Sequence, residues 1–263
     1  ILLLGLAIYS FNLDGFQDGV RYMFIPDLEK INADVILSAM GMAFFSLSIG
    51  MGSLMIYGSY LSKESSITEV TTVVAFSDTF VAILAGIIIF PMVFTFNLDP
   101  SSARPGLIFQ TLPLAFGVMP YGELVATLFF VLLFFAAITS SISLIEPAIS
   151  FLIEKYSYSR AEATVRLGSL TWFIGIGTLL SFNYLADVTL FGMTFFDLLD
   201  SFTSKVMLPL GGLLMAIFVG FIVKKKIVIE ELEMNKTLFD FWRFIIRFIA
   251  PVAVTLIFIN GFM

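Results

Sequence analysis

The residues of this chain that could do chemistry carry oxygen and stand inside long apolar stretches. Carboxylate, hydroxyl and carbonyl oxygens suit alkali and alkaline-earth cations far better than transition metals. The chain has no histidine and no cysteine, so imidazole and thiolate ligands are excluded. The sequence therefore favours all-oxygen cation sites, and the side chains concerned are Asp78, Ser46 with Ser48, and Thr139 with Ser140.

Asp78 lies about a third of the way into its apolar stretch, in Ala-Phe-Ser-Asp-Thr-Phe-Val-Ala. An isolated charge at membrane depth costs roughly 2.5–3.5 kcal/mol on insertion scales, so such a residue is usually paired, ion-bound or functional. The alternative is a protonated or Ser/Thr-bonded aspartate that holds helices together. Because of that cost, we favour a cation site.

Small residues accompany the hydroxyls of Thr139 and Ser140, since Ala136 and Ala137 come just before them. Such residues let another helix approach closely, so one interpretation of this segment is a packing face. The other is a second cation site, built from the two hydroxyls and the carbonyl of Ala136 one helical turn away. The residue types leave both open.

The composition is that of a helical membrane protein. Of 263 residues, 59% are hydrophobic and 13% are charged, against about 25% charged in soluble domains, and the mean hydropathy is +1.02. The formal net charge of −6 argues against a nucleic-acid partner, because nucleic acid selects basic surfaces. We expect an all-α fold whose partner is the lipid bilayer.

Apolar runs predict seven membrane segments in a single transmembrane domain over residues 1–263. The chain opens inside an apolar run, so we expect it to be part of a larger protein that begins upstream. The segments are 1–11, 35–60, 70–95, 122–153, 163–183, 195–223 and 240–261.

The segment 35–60 contains an interruption near 46–52. Gly50 and Gly52 each cost roughly 1 kcal/mol relative to alanine inside a helix, and Ser46 and Ser48 can bond the backbone in place of the helical ladder. Unwound backbone at membrane depth is tolerated only where it is buried in protein or lines a cavity. Ion-coupled transporters hold substrate at such a broken helix, so the sequence predicts a transporter.

Lysine and arginine are distributed unequally between the connections. Eight lie in 61–69, 154–166 and 224–239, whereas the other connections hold three. The positive-inside rule places the first set in the cytoplasm, as in a multi-pass protein of the inner (plasma) membrane. The segment 96–121 is apolar for a loop and is either a re-entrant lid or an ordinary extracellular loop.

Three further acidic residues lie in or beside the spans. Glu146 precedes Pro147, which removes a helical hydrogen bond, and we favour a structural role for Glu146 over a proton relay. Asp197 and Asp200 stand at the start of the segment 195–223, where acids are favourable through the helix dipole alone. A gate role there would need a basic partner.

Five ordered motifs resemble the neurotransmitter:sodium symporter family, and most closely its bacterial amino-acid transporters. They are Gly41-Met-Ala-Phe-Phe-Ser-Leu-Ser-Ile-Gly-Met-Gly52 with Tyr57-Gly-Ser-Tyr60, Asp78 in its span, Pro105-Gly-Leu-Ile-Phe-Gln-Thr-Leu-Pro113, Phe134-Phe-Ala-Ala-Ile-Thr-Ser-Ser141 and Arg247-Phe-Ile-Ala-Pro251. The resemblance implies an inverted-repeat amino-acid transporter fold. Residues 1–11 would end its fifth helix, residues 35–223 would form the second repeat, and 240–261 would be one further helix. The first four helices of the fold would be absent here and would act as partners of this chain.

The resemblance also implies roles for the residues around the break. Phe45 would cover the bound amino acid, Ser46 would contribute to the first sodium site and to the substrate pocket, and Ser48 would contact the substrate. Met51 stands where many relatives place an aromatic residue. A flexible thioether there would leave a roomier and more adaptable pocket.

Roles for residues on other helices follow in the same way. Asp78 would lie next to the first sodium, at a position that is commonly Asn, and Ala82 stands where chloride-dependent relatives place a serine. Asp78 would then supply the fixed negative charge, and chloride would not be needed. The second sodium site would comprise Ala136, Thr139 and Ser140, the substrate pocket would include Ser140 and Leu144, and Asp200 would be the acidic half of an outer gate.

The function implied is sodium-coupled symport of a neutral, hydrophobic or aromatic L-amino acid by alternating access, with two Na⁺ sites that this chain only partly supplies. The pocket walls Phe45, Met51 and Leu144 carry no charge. The alternatives are an ion channel, which would need a continuous polar path, and a non-transporting membrane remnant. An enzyme is not expected, because a hydrolase needs a base positioned beside a nucleophile.

Overall fold

A computed structural model of the chain describes residues 1–62, 64–98, 108–109 and 112–261. These residues form helices joined by turns, and within the described ranges there is no β-strand beyond an isolated bridge between Leu190 and Met193. The predicted all-α fold is confirmed.

The α-helices follow one another along the chain with short connections. They are α1 Leu2–Ser10, α2 Phe16–Phe24, α3 Ala33–Ser46, α4 Ser53–Ser59, α5 Ile67–Thr95, α6 Leu112–Val118, α7 Gly122–Tyr156, α8 Arg160–Leu180, α9 Phe195–Phe202, α10 Leu208–Ile217, α11 Lys225–Leu232, α12 Lys236–Phe244 and α13 Ala250–Asn260. A π-helical turn at Thr203–Met207 joins α9 to α10, another at Phe218–Ile222 extends α10, and a further one at Ile245–Ile249 joins α12 to α13.

Among the described residues, five continuous helical runs are long and apolar enough to cross a membrane. They are Ile67–Thr95, Gly122–Tyr156, Arg160–Leu180, Phe195–Ile222 and Lys236–Asn260, and the shorter apolar helix Ala33–Ser46 precedes them. These runs match five of the predicted segments within a few residues. α8 starts three residues before its predicted boundary because Ser159 and Glu162 form a capping box that begins the helix at Arg160.

The chain divides into two compact units, one formed by residues 1–31 and 73–140 and the other by residues 32–72 and 141–263. The first unit has an apolar core in which Leu6, Met92 and Phe129 are almost fully buried. The second contains both halves of the broken helix. A single transmembrane domain over residues 1–263 stays a prediction.

The segment 96–121, predicted as either a re-entrant lid or an ordinary extracellular loop, lies only partly within the described residues. Residues 99–107, 110 and 111 lie outside the described residues, as does Lys63, which contributed to the predicted orientation. The end of the segment forms α6, and its Leu112 and Phe116 are buried in the core of the first unit. The hydroxyl of Tyr9 donates to the carbonyl of Pro120 at 3.0 Å. This part of the segment is therefore packed against protein.

Candidate functional site

The helix break lies where the sequence predicts it. α3 ends at Ser46 and α4 begins at Ser53. Between them, Ser48, Gly50 and Gly52 have φ angles of 54°, 90° and 85°, in the left-handed region that only glycine adopts without cost. Two glycines and one strained serine therefore set the backbone conformation of the break.

Turn-like hydrogen bonds replace the helical ladder inside the break. The N–H of Ser48 donates to the carbonyl of Phe45 at 3.0 Å, and the N–H of Met51 donates to the carbonyl of Ser48 at 3.4 Å. Carbonyls at the C-terminal end of α3 carry the negative end of the helix dipole. The break therefore presents peptide oxygens of the kind that coordinate a cation.

The break packs against α10 through glycines on both sides. A Cβ added at Gly50 would lie 2.5 Å from the carbonyl oxygen of Leu208 and 2.8 Å from the nitrogen of Gly212, and one added at Gly211 would collide with the carbonyl of Gly50. The two backbones touch directly. The unwound segment is therefore buried against protein, as its loss of helical hydrogen bonds requires.

α7 lies on another side of the break. A Cβ added at Gly52 would lie 3.5 Å from Pro147. Leu144, three residues before Pro147, belongs with Phe45, Ser48 and Met51 to the second unit. Five of the six residues predicted to face the substrate, these four and Ser46, thus belong to the second unit, whereas Ser140 belongs to the first. Their contacts with a substrate stay a prediction.

The residues of the predicted first cation site come from both units. Ser46 is the last residue of α3 in the second unit, and Asp78 lies half-buried on α5 in the first. A shared site therefore stays a prediction. No group of three or more His, Cys, Asp or Glu that could hold a metal ion occurs within the described ranges.

The predicted second cation site lies on one face of α7 within the first unit. The hydroxyl of Thr139 donates to the carbonyls of Phe135 and Ala136, at 2.9 and 3.0 Å. With its proton directed at the helix backbone, that oxygen presents lone pairs outward. Thr139, Ala136 and Ser140 are exposed in this chain. The orientation suits a cation ligand, and the site itself stays a prediction.

Asp197 and Asp200 have different environments at the start of α9. The carboxylate of Asp197 accepts a hydrogen bond from the hydroxyl of Thr194 at 2.8 Å and completes a capping box. Asp200, one turn later, is exposed and lies outside that box. Asp197 thus takes part in capping the helix, whereas the gate role of Asp200 stays a prediction.

Glu146 joins three helices of the second unit. The residue is 5% exposed, and its carboxylate accepts from the hydroxyl of Tyr60 at 2.7 Å and from Nη2 of Arg160 at 2.7 and 2.8 Å. Ser150 lies 3.2 Å from the same tyrosine hydroxyl. Glu146 therefore links helices, as its expected structural role requires. Its partners come from the end of α4 and the start of α8, and the sequence did not identify them.

Comparisons with known proteins bear on the whole chain. The model of the sodium:neurotransmitter symporter family matches residues 1–263. An uncharacterized sodium-dependent transporter of Haemophilus influenzae is 36% identical over 264 residues, with 99% of this chain and 57% of the relative covered. The uncharacterized sodium-dependent transporter YhdH of Bacillus subtilis (strain 168) is 34% identical, with 99% and 58% covered.

A solved structure agrees with the expected fold. The crystal structure of MhsT in complex with L-phenylalanine matches with a TM-score of 0.89 and 40% identity, over 99% of this chain and 59% of MhsT. The predicted transporter fold is confirmed. The chain spans 57–59% of the length of these three proteins.

Substituting Gly50 tests the close approach of the break to α10. In the full-length protein we expect Gly50→Ala to lower the free energy of unfolding by more than about 1–2 kcal/mol, the cost of a left-handed alanine alone, because its Cβ would also meet the backbone of Leu208. Thermal unfolding in detergent measures the loss. Gly58→Ala is the control, since nothing lies within 4 Å of that Cβ. Equal stability of both variants would contradict the described packing.

Substitutions at Tyr60 and Glu146 test the three-helix contact. We expect Tyr60→Phe to lower stability by about 1–3 kcal/mol, the usual range for a hydrogen bond to a charged group. Glu146→Ala should cost more than Glu146→Gln, which still offers an acceptor to Tyr60. Tyr57→Phe, three residues earlier on α4, is the control. The same unfolding assay ranks the variants, and a Tyr60→Phe protein as stable as the control would disprove the contact.

Proposed function

This chain belongs to the sodium:neurotransmitter symporter family, and we propose that the full protein is a sodium-coupled symporter of a neutral, hydrophobic or aromatic L-amino acid. The family is one of transporters, not enzymes. The observation that carries the proposal is the break between α3 and α4, whose left-handed residues open the backbone inside an apolar segment. Such broken helices hold substrate and coupling ion near the bilayer midplane.

Sodium would bind to oxygens of the break and of the neighbouring helices. We infer that Ser46 and Asp78 contribute to a first site and that Thr139, Ser140 and the carbonyl of Ala136 contribute to a second. An ionised carboxylate inside a membrane span is destabilising unless it is paired or binds an ion. Na⁺ prefers oxygen ligands of this kind. Asp78 would supply fixed negative charge, so we propose that transport does not require chloride.

The amino acid would lie against the break. Phe45, Met51 and Leu144 offer apolar surface, Ser48 and Ser140 offer hydroxyls, and none of these residues is charged. That set favours a neutral, hydrophobic or aromatic side chain. MhsT, to which the chain is similar, was crystallised with L-phenylalanine, which supports the same class.

Alternating access would require the two ends of the site to open in turn. We propose that Asp200 closes the outer end together with a basic group outside this chain, and that the bond between Tyr60 and Glu146 must break when α4 moves at the inner end. Glu146 is held by Arg160 as well, so the carboxylate would keep a partner when Tyr60 leaves.

Ion replacement in proteoliposomes tests the proposed symport. We expect uptake of L-phenylalanine by the full-length protein to be lost when potassium replaces sodium and to persist when gluconate replaces chloride. Asp78→Ala should abolish sodium-stimulated binding, whereas Asp187→Ala, at an exposed position, should retain it. Uptake that is unchanged when sodium is removed would contradict the proposed symport. A strict chloride requirement would overturn the role of Asp78, and a non-saturating ohmic current would indicate a channel.

Met51→Phe tests the pocket. A rigid ring in place of the thioether should narrow the space for the substrate side chain. We expect the preference for L-tryptophan over L-leucine to fall by about tenfold or more, the lower range for a size mismatch in an apolar pocket. Competition uptake assays measure the ratio. Met55→Phe, an exposed position on α4 (62% exposed), is the matched control, and an equal ratio in both variants would exclude Met51 from the pocket.

A further inference from the structure

Ser53 carries a buried hydroxyl that has no hydrogen-bond partner among the described residues. The residue is 3% exposed, and no donor or acceptor lies within hydrogen-bonding distance of its Oγ. Ser10, which is also buried, differs because its hydroxyl donates to the carbonyl of Ala7 at 2.7 Å. Since buried hydroxyls are nearly always paired, the exception at Ser53 needs a physical explanation.

Residues of this chain already enclose the oxygen of Ser53. The chain spans 57–59% of the length of its relatives, but a helix that covered it from outside would not reach an enclosed atom. Such a helix could bond to Ser53 only if the segment that carries the serine moved. The missing partner is therefore a property of this conformation and not of an uncovered surface.

Ser53 is the first residue of α4, and the glycine before it is suited to act as a hinge. Gly50 is fixed by its close contact with α10, but a Cβ added at Gly52 would have no neighbour nearer than 3.5 Å. Gly52 has a φ of 85°, and without a Cβ its backbone angles change at little steric cost. α4 itself has only seven residues. A rotation at Gly52 would therefore move this short helix and change the surroundings of Ser53 directly.

The two ends of α4 have opposite effects on its position. Just past its end, the hydroxyl of Tyr60 donates to the carboxylate of Glu146 at 2.7 Å, and hydrogen bonds to charged groups are among the stronger ones. At its start, the unpaired hydroxyl of Ser53 is destabilising, because it has lost its hydration and gained no bond in exchange. α4 is thus held at one end and strained at the other.

We propose that Ser53 is a switch residue, whose hydroxyl is unpaired while Tyr60 bonds to Glu146 and becomes hydrated when α4 moves away from α7. The inference rests on the proposed symport, in which the inner end of the site must open. By the positive-inside orientation, the connection that follows Tyr60 is cytoplasmic, so water enters from that side. The unpaired hydroxyl lowers the free energy needed for this movement, and the contact between Tyr60 and Glu146 therefore closes the inner end without preventing its opening. Strain of this kind persists where a function uses it.

Hydrogen–deuterium exchange of α4 in the full-length protein in detergent tests the switch. We expect Ser53→Ala to slow exchange at the amides of residues 56–58 about fivefold, the equivalent of roughly 1 kcal/mol, because the closed position no longer buries an unpaired hydroxyl. Ser59→Ala is the control for the helix propensity of alanine, since its exposed hydroxyl bonds to the carbonyl of Ile56, and it should exchange like the wild type. Unchanged exchange in Ser53→Ala would overturn the proposal. Faster exchange would also overturn it and would indicate a hydroxyl that is paired with a stable water in the closed position.

Tyr60→Phe provides a second test, because it acts on the same movement in the opposite direction. It should speed exchange at residues 56–58, and adding Ser53→Ala should bring the rate back towards that of the wild type. Adding Ser10→Ala, which removes a buried but paired hydroxyl of the first unit, should not. A Ser53→Ala/Tyr60→Phe protein that exchanges as fast as Tyr60→Phe alone would refute the switch. These measurements do not depend on transport, so sodium-independent uptake would contradict the symport and leave their outcome unaffected.

Discussion

The structure depends on one constraint, which is that peptide groups inside a bilayer must be hydrogen-bonded or shielded by protein. The break at residues 47–52 gives up helical hydrogen bonds in the middle of an apolar segment. It is tolerated because Gly50 meets Gly211 and Gly212 at backbone distance. Gly50 and Gly211 are both needed at that contact, since a Cβ on either would meet the backbone of the other segment, whereas a Cβ on Gly212 would meet the ring of Phe44. The same loss of helical hydrogen bonds leaves peptide oxygens outside the ladder, where we propose that the ion binds.

The short helix α4 is held by α7 at both ends. At its start, Gly52 lies beside Pro147, since a Cβ added there would be 3.5 Å from that ring, and just past its end Tyr60 donates to Glu146, the residue before that proline. Glu146 needs strong partners because a carboxylate that is 5% exposed is stable only when paired. Arg160 gives it such a partner from α8. A displacement of α4 relative to α7 would therefore separate specific atoms, Tyr60 Oη and Glu146 Oε1, and would leave the ion pair intact.

Local chemistry made part of this molecule predictable. The break follows from glycines and serines inside an apolar run, and the spans follow from length and hydropathy. The partners of Glu146 could not be predicted. Tyr60 is 86 residues away in sequence, and nothing in its local sequence distinguishes its hydroxyl from that of another tyrosine. The π-helical turns at Thr203–Met207, Phe218–Ile222 and Ile245–Ile249 carry no residue signature either. The predicted first cation site draws on Ser46 and Asp78, which lie far apart in the chain, and sequence order alone gives no distance between them.

α10 links the two regions with the clearest chemistry. Its glycines at 211 and 212 lie against the unwound backbone. Gly220, about two turns further on, lies in a π-helical turn, and its carbonyl accepts a hydrogen bond from Arg247. A Cβ at Gly220 would lie 3.1 Å from Cγ of that arginine. Each glycine lowers helix propensity by about 1 kcal/mol, so a helix that carries three of them at contact points is stabilised mainly by its neighbours. The geometry of α10 is therefore set by what it touches, the broken helix on one side and the arginine-bearing span on the other.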